Sequence, residues 1–314
     1  MRNSYTAADI DVPIKLVHDS RLIQRITENK FILMRHLQLV ITNRCNLDCD
    51  FCSCGDRDKQ VEMPLLKVIE LLDTAKGCGC KAITITGGGE PLMHPHINNI
   101  IRACNERFIK VGLVTNGILL DKLEENVTWC RISFDSARNF RPLSKVLNRT
   151  IKRLKSEPKI DWAFSYVATG VGYLKKLVKY ANANGFTHVR VVSDINNPSD
   201  EIIMSCKSTL HGIDGKVIYQ ARTRPAKGVK KCWISLLKPT IAADGTIFPC
   251  CGAQYALKDS RKDYHMALGM GKDLKEVITK QQVFDGSVCD VCYYDSYNRF
   301  LQMVMDDVDH LEWV

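Results

Sequence analysis

The stretch that decides the fold runs from residue 37 to residue 52 and reads Leu-Gln-Leu-Val-Ile-Thr-Asn-Arg-Cys-Asn-Leu-Asp-Cys-Asp-Phe-Cys. Its first part, Leu37–Thr42, is a short apolar run that predicts a buried β-strand. Cys45, Cys49 and Cys52 follow on one short loop. Three thiolates on one loop can hold three irons of a four-iron cluster and leave the fourth iron open to an exchangeable ligand. A zinc site is the alternative, for which Cys54 would supply the fourth ligand.

Short β-branched runs alternate with amphipathic stretches up to residue 193, which predicts repeated βα units around a parallel sheet. The further predicted strands are Ala82–Thr86, Val111–Thr115, Arg131–Phe134, Trp162–Val167 and His188–Val192. All six are expected to be apolar on both faces, as in a buried parallel sheet. Helices are predicted over Pro64–Lys76 and Gly172–Asn184. The predicted fold class is α/β, a partial (β/α)6 barrel of the TIM type.

The βα rhythm ends after residue 194, which predicts a second, smaller unit. We expect an N-terminal extension (1–35), the barrel core (36–200), a linker (201–230) and a C-terminal domain (231–314). In that domain Lys238–Ala243 and Thr246–Pro249 read as a β-hairpin turning at Asp244-Gly245. A helix is predicted over Ser296–Leu311, where apolar residues recur at helical spacing.

The composition indicates an intracellular metalloprotein. The chain has 314 residues and 14 cysteines, and its N-terminus lacks the apolar segment of a signal peptide. Cytosolic thiols stay reduced, so the cysteines point to metal ligation rather than disulfides. No run is long and apolar enough to span a membrane, so we expect a cytoplasmic protein. The net charge of +9 suits an anionic partner, although a solvated basic surface explains it equally.

The cysteine loop resembles the CxxxCxΦC motif of radical S-adenosylmethionine (SAM) enzymes, with Phe51 at the aromatic position. The segment Gly87, Gly88, Gly89 and Glu90 followed by Pro91 resembles the family's GGEP segment, whose backbone and glutamate meet the SAM amino group. Asn116, Ser133 and Asp135 stand where this family contacts the SAM carboxylate and ribose. Strand-end turns and helix caps explain these three residues equally well.

This resemblance implies a mechanism. The amino and carboxylate groups of SAM bind the open iron, and one electron from the cluster cleaves SAM to a 5′-deoxyadenosyl radical that abstracts hydrogen from the substrate. A flavodoxin or ferredoxin is the expected reducing partner. No catalytic acid or base can be assigned from the sequence.

A second group of cysteines follows: Cys232, Cys250, Cys289 and Cys292. The text around Cys232-Trp233 and from Ala243 to Cys250 resembles the SPASM/twitch extension of radical SAM enzymes, and the short form with one auxiliary [4Fe–4S] cluster fits best. A zinc ribbon is the alternative, because a hairpin plus a CxxC pair is a good tetrahedral set. Cys251, next to Cys250, leaves the ligand at that point open.

The substrate class depends on weaker signals. Basic stretches at 138–155 and 219–231, the second containing Arg222 and Arg224, suit a phosphate-bearing substrate such as a nucleotide or a modified base in DNA. A solvated helix face and a charged linker explain them equally. The alternatives are a peptide maturase, a small-molecule dehydrogenase of the same superfamily, and a zinc-binding protein without activity. Residues 1–35 are short for the leader-binding domain that a peptide maturase usually carries.

Overall fold

One sheet of ten strands organises the part of the chain that this computed structural model describes, residues 13–153, 160–221, 226–255 and 266–307. The strands are β1 (His36–Val40), β2 (Ala82–Thr86), β3 (Lys110–Thr115), β4 (Trp129–Asp135), β5 (Asp161–Ala168), β6 (His188–Ser193), β7 (Val217–Gln220), β8 (Thr240–Ile241), β9 (Thr246–Phe248) and β10 (Gly269–Met270). Their spatial order is β10-β9-β8-β1-β2-β3-β4-β5-β6-β7. Strands β1 to β7 are parallel in chain order, so the predicted partial barrel is confirmed as an open parallel sheet.

Helices connect the strands. They are α1 (Ile14–Val17), α2 (Ser20–Asn29), α3 (Leu65–Gly77), α4 (Ile97–Glu106), α5 (Phe140–Arg153), α6 (Leu174–Ala183), α7 (Asp200–Thr209), α8 (Ile234–Leu237), α9 (Cys251–Tyr255), α10 (Leu274–Thr279) and α11 (Asp295–Met305). The helices α3, α6 and α11 stand where the sequence predicts them, although the end of the last predicted helix, from residue 308 on, lies outside the described residues. Among the described helices, none combines the length and apolarity of a membrane span.

The segment predicted as a linker, residues 201–230, carries regular structure. It contains most of α7 and the whole of β7, which pairs in parallel with β6. Strand β7 has only four residues and lies at the edge of the sheet. A short edge strand buries few apolar side chains, so it leaves a weak signal in the sequence.

The predicted hairpin is present as β8 and β9, and it extends the core sheet rather than standing apart from it. Thr240 and Ile241 pair in parallel with Gln38 and Leu39 of β1. Strand β9 then pairs antiparallel with β8, and β10 with β9. The segment that carries the second group of cysteines is therefore joined to the first strand of the barrel by main-chain hydrogen bonds.

The parallel strands are predominantly apolar on one face and carry both polar and apolar residues on the other. Residues such as Leu39, Ile85 and Ile132 belong to the core beneath the helices. The opposite face, called here the inner face, carries Gln38, Thr84, Gly112, Trp129, Arg131, Ser165 and Arg190, which the strand pairing places on one side of the sheet. The prediction that both faces are apolar is therefore wrong. The polar residues alternate with apolar ones along each strand, as a half-polar sheet requires.

Candidate active site

A cavity of about 190 Å³ opens at the carboxyl ends of β1 to β4. All residues predicted to contact the first cluster or SAM line it: Cys45, Cys49, Cys52, Phe51, Gly87, Gly88, Gly89, Glu90, Asn116, Ser133 and Asp135. The carboxyl ends of parallel strands meet at one edge of the sheet, which explains why residues distant in sequence converge here. The structure thus brings the predicted set together in one place.

Backbone hydrogen bonds hold the start of the cysteine loop, whereas its last cysteine is exposed. The backbone N–H of Asn43 donates to Val61 O at 2.9 Å, and the N–H of Cys52 donates to Cys49 O at 2.9 Å. Cys52 is exposed, whereas Cys45 and Cys49 are half-buried. Burial raises the pKa of the Cys49 thiol to about 11. The three thiols are held close to the cavity by the backbone of the loop.

Cys54, which the sequence analysis names only as the fourth ligand of an alternative zinc site, also lines this cavity. Its thiol donates to Gly87 O at 3.8 Å. A hydrogen bond between Cys54 and Cys52 lowers the pKa of Cys52 and raises the pKa of Cys54. Cys54 therefore connects the cysteine loop to the glycine loop after β2.

The glycine loop packs directly against the backbone of the cysteine loop. The N–H of Gly89 donates to Thr42 O at 3.0 Å, and the N–H of Glu90 donates to Arg44 O at 2.7 Å. A Cβ added at Gly89 would lie 2.0 Å from Arg44 O, far inside any allowed contact. Glycine is required here because two backbones meet, in addition to any approach of a ligand.

Glu90 joins the ends of β2 and β3. Its Oε1 accepts hydrogen bonds from the Thr115 hydroxyl at 2.7 Å and from the Leu92 N–H at 3.0 Å, and its Oε2 accepts one from the Asn116 N–H at 2.6 Å. Burial raises the pKa of Glu90, and these hydrogen bonds oppose the increase. A carboxylate offers about four acceptor positions. The three protein contacts therefore leave Oε2 able to accept one more donor.

Asn116 and Asp135 make the turn contacts expected at strand ends and also face the cavity. Asn116 Nδ2 donates to the side chain of Asn46 in the cysteine loop at 2.7 Å. Asp135 Oδ1 accepts the N–H groups of Ala137 and Arg138 at 2.9 and 3.1 Å. The strand-end turns named above are therefore present, and they do not prevent contact with a ligand, because both residues line the cavity.

Arg138 is a site residue that the motif search missed. Its guanidinium donates to the carbonyl oxygens of Ser133 and, at 3.1 Å, of Asn116, and it lies 3.8 Å from the Asp135 carboxylate. Burial lowers the pKa of Arg138. This half-buried cation faces a cavity that is also lined by carboxylates and four thiols, so it supplies positive charge where an anionic group could bind. Its signals in the sequence are its place at the start of the basic stretch 138–155 and its position three residues after Asp135.

A second and larger cavity, of about 530 Å³, collects the other four predicted cysteines: Cys232, Cys250, Cys289 and Cys292. Cys292 N donates to Ala226 O at 2.7 Å, and Cys232 N donates to Phe284 O at 3.0 Å, so two bridges clamp the segments that carry them. Burial raises the pKa of Cys232 to about 12. The cavity is called here the auxiliary cavity.

Cys250 and Cys251 point to different surroundings. Cys250 lines the auxiliary cavity, and its sulfur accepts the N–H of Ala253 at 3.4 Å. Cys251 is absent from the lining, and its thiol lies 3.4 Å from the hydroxyl of Tyr294. The geometry therefore favours Cys250 as the fourth member of the group.

The two cavities are neighbours. Asn196 lines the auxiliary cavity, and its Nδ2 donates to Phe51 O in the cysteine loop at 3.1 Å. Arg57 Nη2, from the same loop, donates to Gln254 O in α9 at 3.1 Å. Hydrogen bonds thus connect the segments that hold the two groups of cysteines.

Sequence comparison identifies the family. A model of the radical SAM superfamily matches residues 39–194, which contain every residue of the first cavity. Residues 39–194 form a radical SAM domain. Enzymes of this superfamily use a [4Fe–4S] cluster and SAM, and they require a reductant.

Curated relatives of this chain include a probable GTP 3′,8-cyclase from Archaeoglobus fulgidus, 27% identical over 213 residues, which are 65% of each chain. A GTP 3′,8-cyclase from Staphylococcus carnosus is 33% identical over 159 residues, 46% of each chain. The enzyme thus spans less than two thirds of the length of these relatives. Among solved structures, SuiB from Streptococcus suis bound to precursor peptide SuiA has a TM-score of 0.58 at 16% identity, covering 97% of this chain and 82% of SuiB. This last similarity shows the fold alone.

The placement of the cysteines bears on the zinc alternative. Among the residues that the structure describes, no three Cys, His, Asp or Glu side chains converge on a position that would hold one ion. Zinc needs all its ligand atoms within about 2.0–2.3 Å of a single point. In a [4Fe–4S] cluster each thiolate binds a different iron, so the sulfurs stand farther apart.

Proposed function

We propose that Cys45, Cys49 and Cys52 hold the catalytic cluster and that SAM binds beside them in the 190 Å³ cavity. The observation that carries this proposal is the convergence, in one cavity, of the three thiols, the glycine loop and the ends of β3 and β4. When bound, the cluster supplies the electron that cleaves SAM to a 5′-deoxyadenosyl radical for hydrogen abstraction from the substrate.

The residues of the chain orient SAM in this proposal. Glu90 Oε2 has capacity for one more hydrogen bond and is the natural acceptor for the methionyl ammonium group. Arg138 offers a cation to the methionyl carboxylate, since a guanidinium binds carboxylates well. Ser133 and Asp135, at the end of β4, are left for the ribose hydroxyls.

For the second group we propose an auxiliary [4Fe–4S] cluster held by Cys232, Cys250, Cys289 and Cys292. Two observations support it: the four thiols line one cavity, and they do not converge on a single-ion position. A cluster with four thiolate ligands has no open iron, so it suits electron transfer from a substrate radical rather than direct substrate binding.

We further propose that the substrate is a nucleotide, either free or as a unit of DNA, and that a flavodoxin or ferredoxin reduces the enzyme in the cytoplasm. The GTP named for the curated relatives supports a free nucleotide more directly than a DNA base. The basic stretches give less support than expected. Arg138 alone of its stretch lines the cavity, Arg141 and Arg149 are exposed on α5, and Arg222 and Arg224 lie outside the described residues.

The test is anaerobic reconstitution, followed by iron and sulfide analysis and by assay of 5′-deoxyadenosine with dithionite and SAM. About eight irons and sulfides per chain are expected for two four-iron clusters. Cys45→Ala should lose about half of the iron and all 5′-deoxyadenosine. Cys78→Ala, at a buried cysteine outside both cavities, is the control and should lose neither. Zinc in place of iron, or unchanged 5′-deoxyadenosine in Cys45→Ala, would refute the proposal.

A further inference from the structure

The inner face of the sheet has the wrong chemistry for a packed barrel interior. In closed barrels bulky branched residues fill the inside. Here the strand register places Arg131 of β4 and Arg190 of β6 on this face, and Lys238 stands two residues before Thr240 of β8, which pairs with Gln38 of the same face. Burying cations is costly unless they serve binding or are compensated by other groups.

The two arginines are held in defined positions. The Arg131 guanidinium lies 5.4 Å from the ring centroid of Trp129, on the same strand. Arg190 Nη2 donates to the Ser165 hydroxyl at 2.8 Å. Ser165 pairs with both Ser133 of the first cavity and Arg190, so Arg190 is level with Ser133 in the sheet. Arg131 lies two residues before Ser133 on the same face, one step below the cavity.

Lys238 approaches from the side of the second group of cysteines. Its Nζ donates to the hydroxyl of Tyr294 at 2.9 Å, and Tyr294 lines the auxiliary cavity. Burial is the main cause that lowers the pKa of Lys238. The thiols of Cys251 and Cys250 oppose this shift, whereas the positive charges of Arg131 and Arg190 add to it. The three cations are therefore near enough to repel one another, and an anion placed among them would relieve that repulsion.

A hydroxyl group completes the arrangement. Thr240 is fully buried, and its Oγ1 has no hydrogen-bond partner among the described residues. Pairing with Gln38 places Thr240 on the inner face, close in sequence to Lys238. A buried hydroxyl without a partner is costly, so this group is ready to donate to a bound oxygen.

We infer that Arg131, Arg190 and Lys238 form a site for the phosphate groups of the substrate, on the inner face between the two cavities. This inference rests on the proposed radical SAM function of the first cavity and adds the substrate's binding group. Guanidinium groups match phosphate oxygens in geometry and charge, and lysine adds a mobile point charge. The site lies inside the barrel, so it suits one nucleotide, either free or turned out of a nucleic acid strand, rather than an intact duplex.

The experiment is calorimetric titration of the anaerobically reconstituted holoenzyme with inorganic triphosphate, which carries the phosphate chemistry without a base. Wild type should bind it. Arg131→Gln, Arg190→Gln and Lys238→Met should each weaken binding by about 10- to 100-fold, the loss expected for a charged hydrogen bond. Arg149→Gln removes an exposed arginine of α5 that pairs with Asp121, and it should bind as wild type does. Arg131→Lys and Arg190→Lys, which keep the charge, should retain part of the affinity.

Two further ligands identify the source of the phosphate. If GTP binds more tightly than guanosine, the substrate is a free nucleotide. If a short single-stranded oligodeoxynucleotide binds and GTP does not, the substrate is a nucleic acid. In both cases the three charge-removing variants must bind the ligand more weakly. If wild type binds none of the phosphate ligands, or if those variants bind them unchanged, the inference is wrong. Formation of 5′-deoxyadenosine without substrate is also measured on wild type and on each variant. If wild type forms none, the proposed function is refuted rather than the phosphate site.

Discussion

Gly89→Ala should destabilise the active site, because the added Cβ forces the glycine loop and the cysteine loop apart. The new Cβ would stand 2.0 Å from Arg44 O and 2.5 Å from Arg44 C, and backbone atoms cannot rotate away. The two loops must separate, which costs about 1–3 kcal/mol as overpacking. Separation also weakens the bonds from Gly89 N to Thr42 O and from Glu90 N to Arg44 O, each worth about 1 kcal/mol. The expected loss of stability is therefore about 3–5 kcal/mol.

Urea unfolding of the anaerobic protein measures this loss, and iron analysis measures its effect on the cysteine loop. Gly77→Ala is the matched control, since a Cβ at Gly77, the last residue of α3, meets nothing within 4 Å. In a helix that change should be neutral or stabilise by up to about 1 kcal/mol. If Gly89→Ala kept its full iron content and unfolded within about 1 kcal/mol of wild type, the reasoning about backbone contact would be refuted.

Three further outcomes are expected. Cys250→Ala should lose about half of the reconstituted iron and Cys251→Ala none, and equal iron in both variants would contradict the assignment of Cys250. Arg138→Met should raise the SAM concentration required for half-maximal 5′-deoxyadenosine formation by about tenfold or more while leaving iron unchanged, and an unchanged requirement would remove Arg138 from the SAM site. Burial, assisted by Lys238, lowers the pKa of His36 well below its usual value, so the folded protein keeps it neutral while the unfolded chain binds a proton. Stability should therefore fall as the pH drops below about 6.5, and His36→Gln should flatten this slope in urea unfolding at pH values on either side.

The sequence predicts the parts of the fold that depend on local patterns. Runs such as Ala82–Thr86 are β-branched and continuous enough to identify a strand alone. Strand β7 is not predicted, because four residues at the edge of a sheet bury too few apolar side chains to leave a hydrophobic pattern in the sequence. The pairing of β8 with β1 is not predicted for another reason. A contact between distant segments has no local sequence pattern, so the sequence predicts the hairpin as part of a separate unit.

The candidate site divides in the same way. Both cysteine groups and the glycine loop are visible because spacing along the chain carries the information. Arg138, Arg131 and Arg190 are not, since one basic residue in a strand or turn has the same local appearance whether it faces solvent, a cavity or the inner face. Their positions follow from strand alternation and register, which only the assembled sheet defines.

The pairing of β1 with β8 also has a consequence for how the chain folds. Gln38 and Thr240 lie roughly two hundred positions apart, so closing this contact requires a large loop whose entropy must be offset by later contacts. During synthesis, strand β1 would emerge early and keep one bare edge until residues 240–241 leave the ribosome. An unpaired strand edge is a template for association between chains. Shortened chains that end before Thr240 should therefore aggregate through β1, even though they contain every residue of the first cavity.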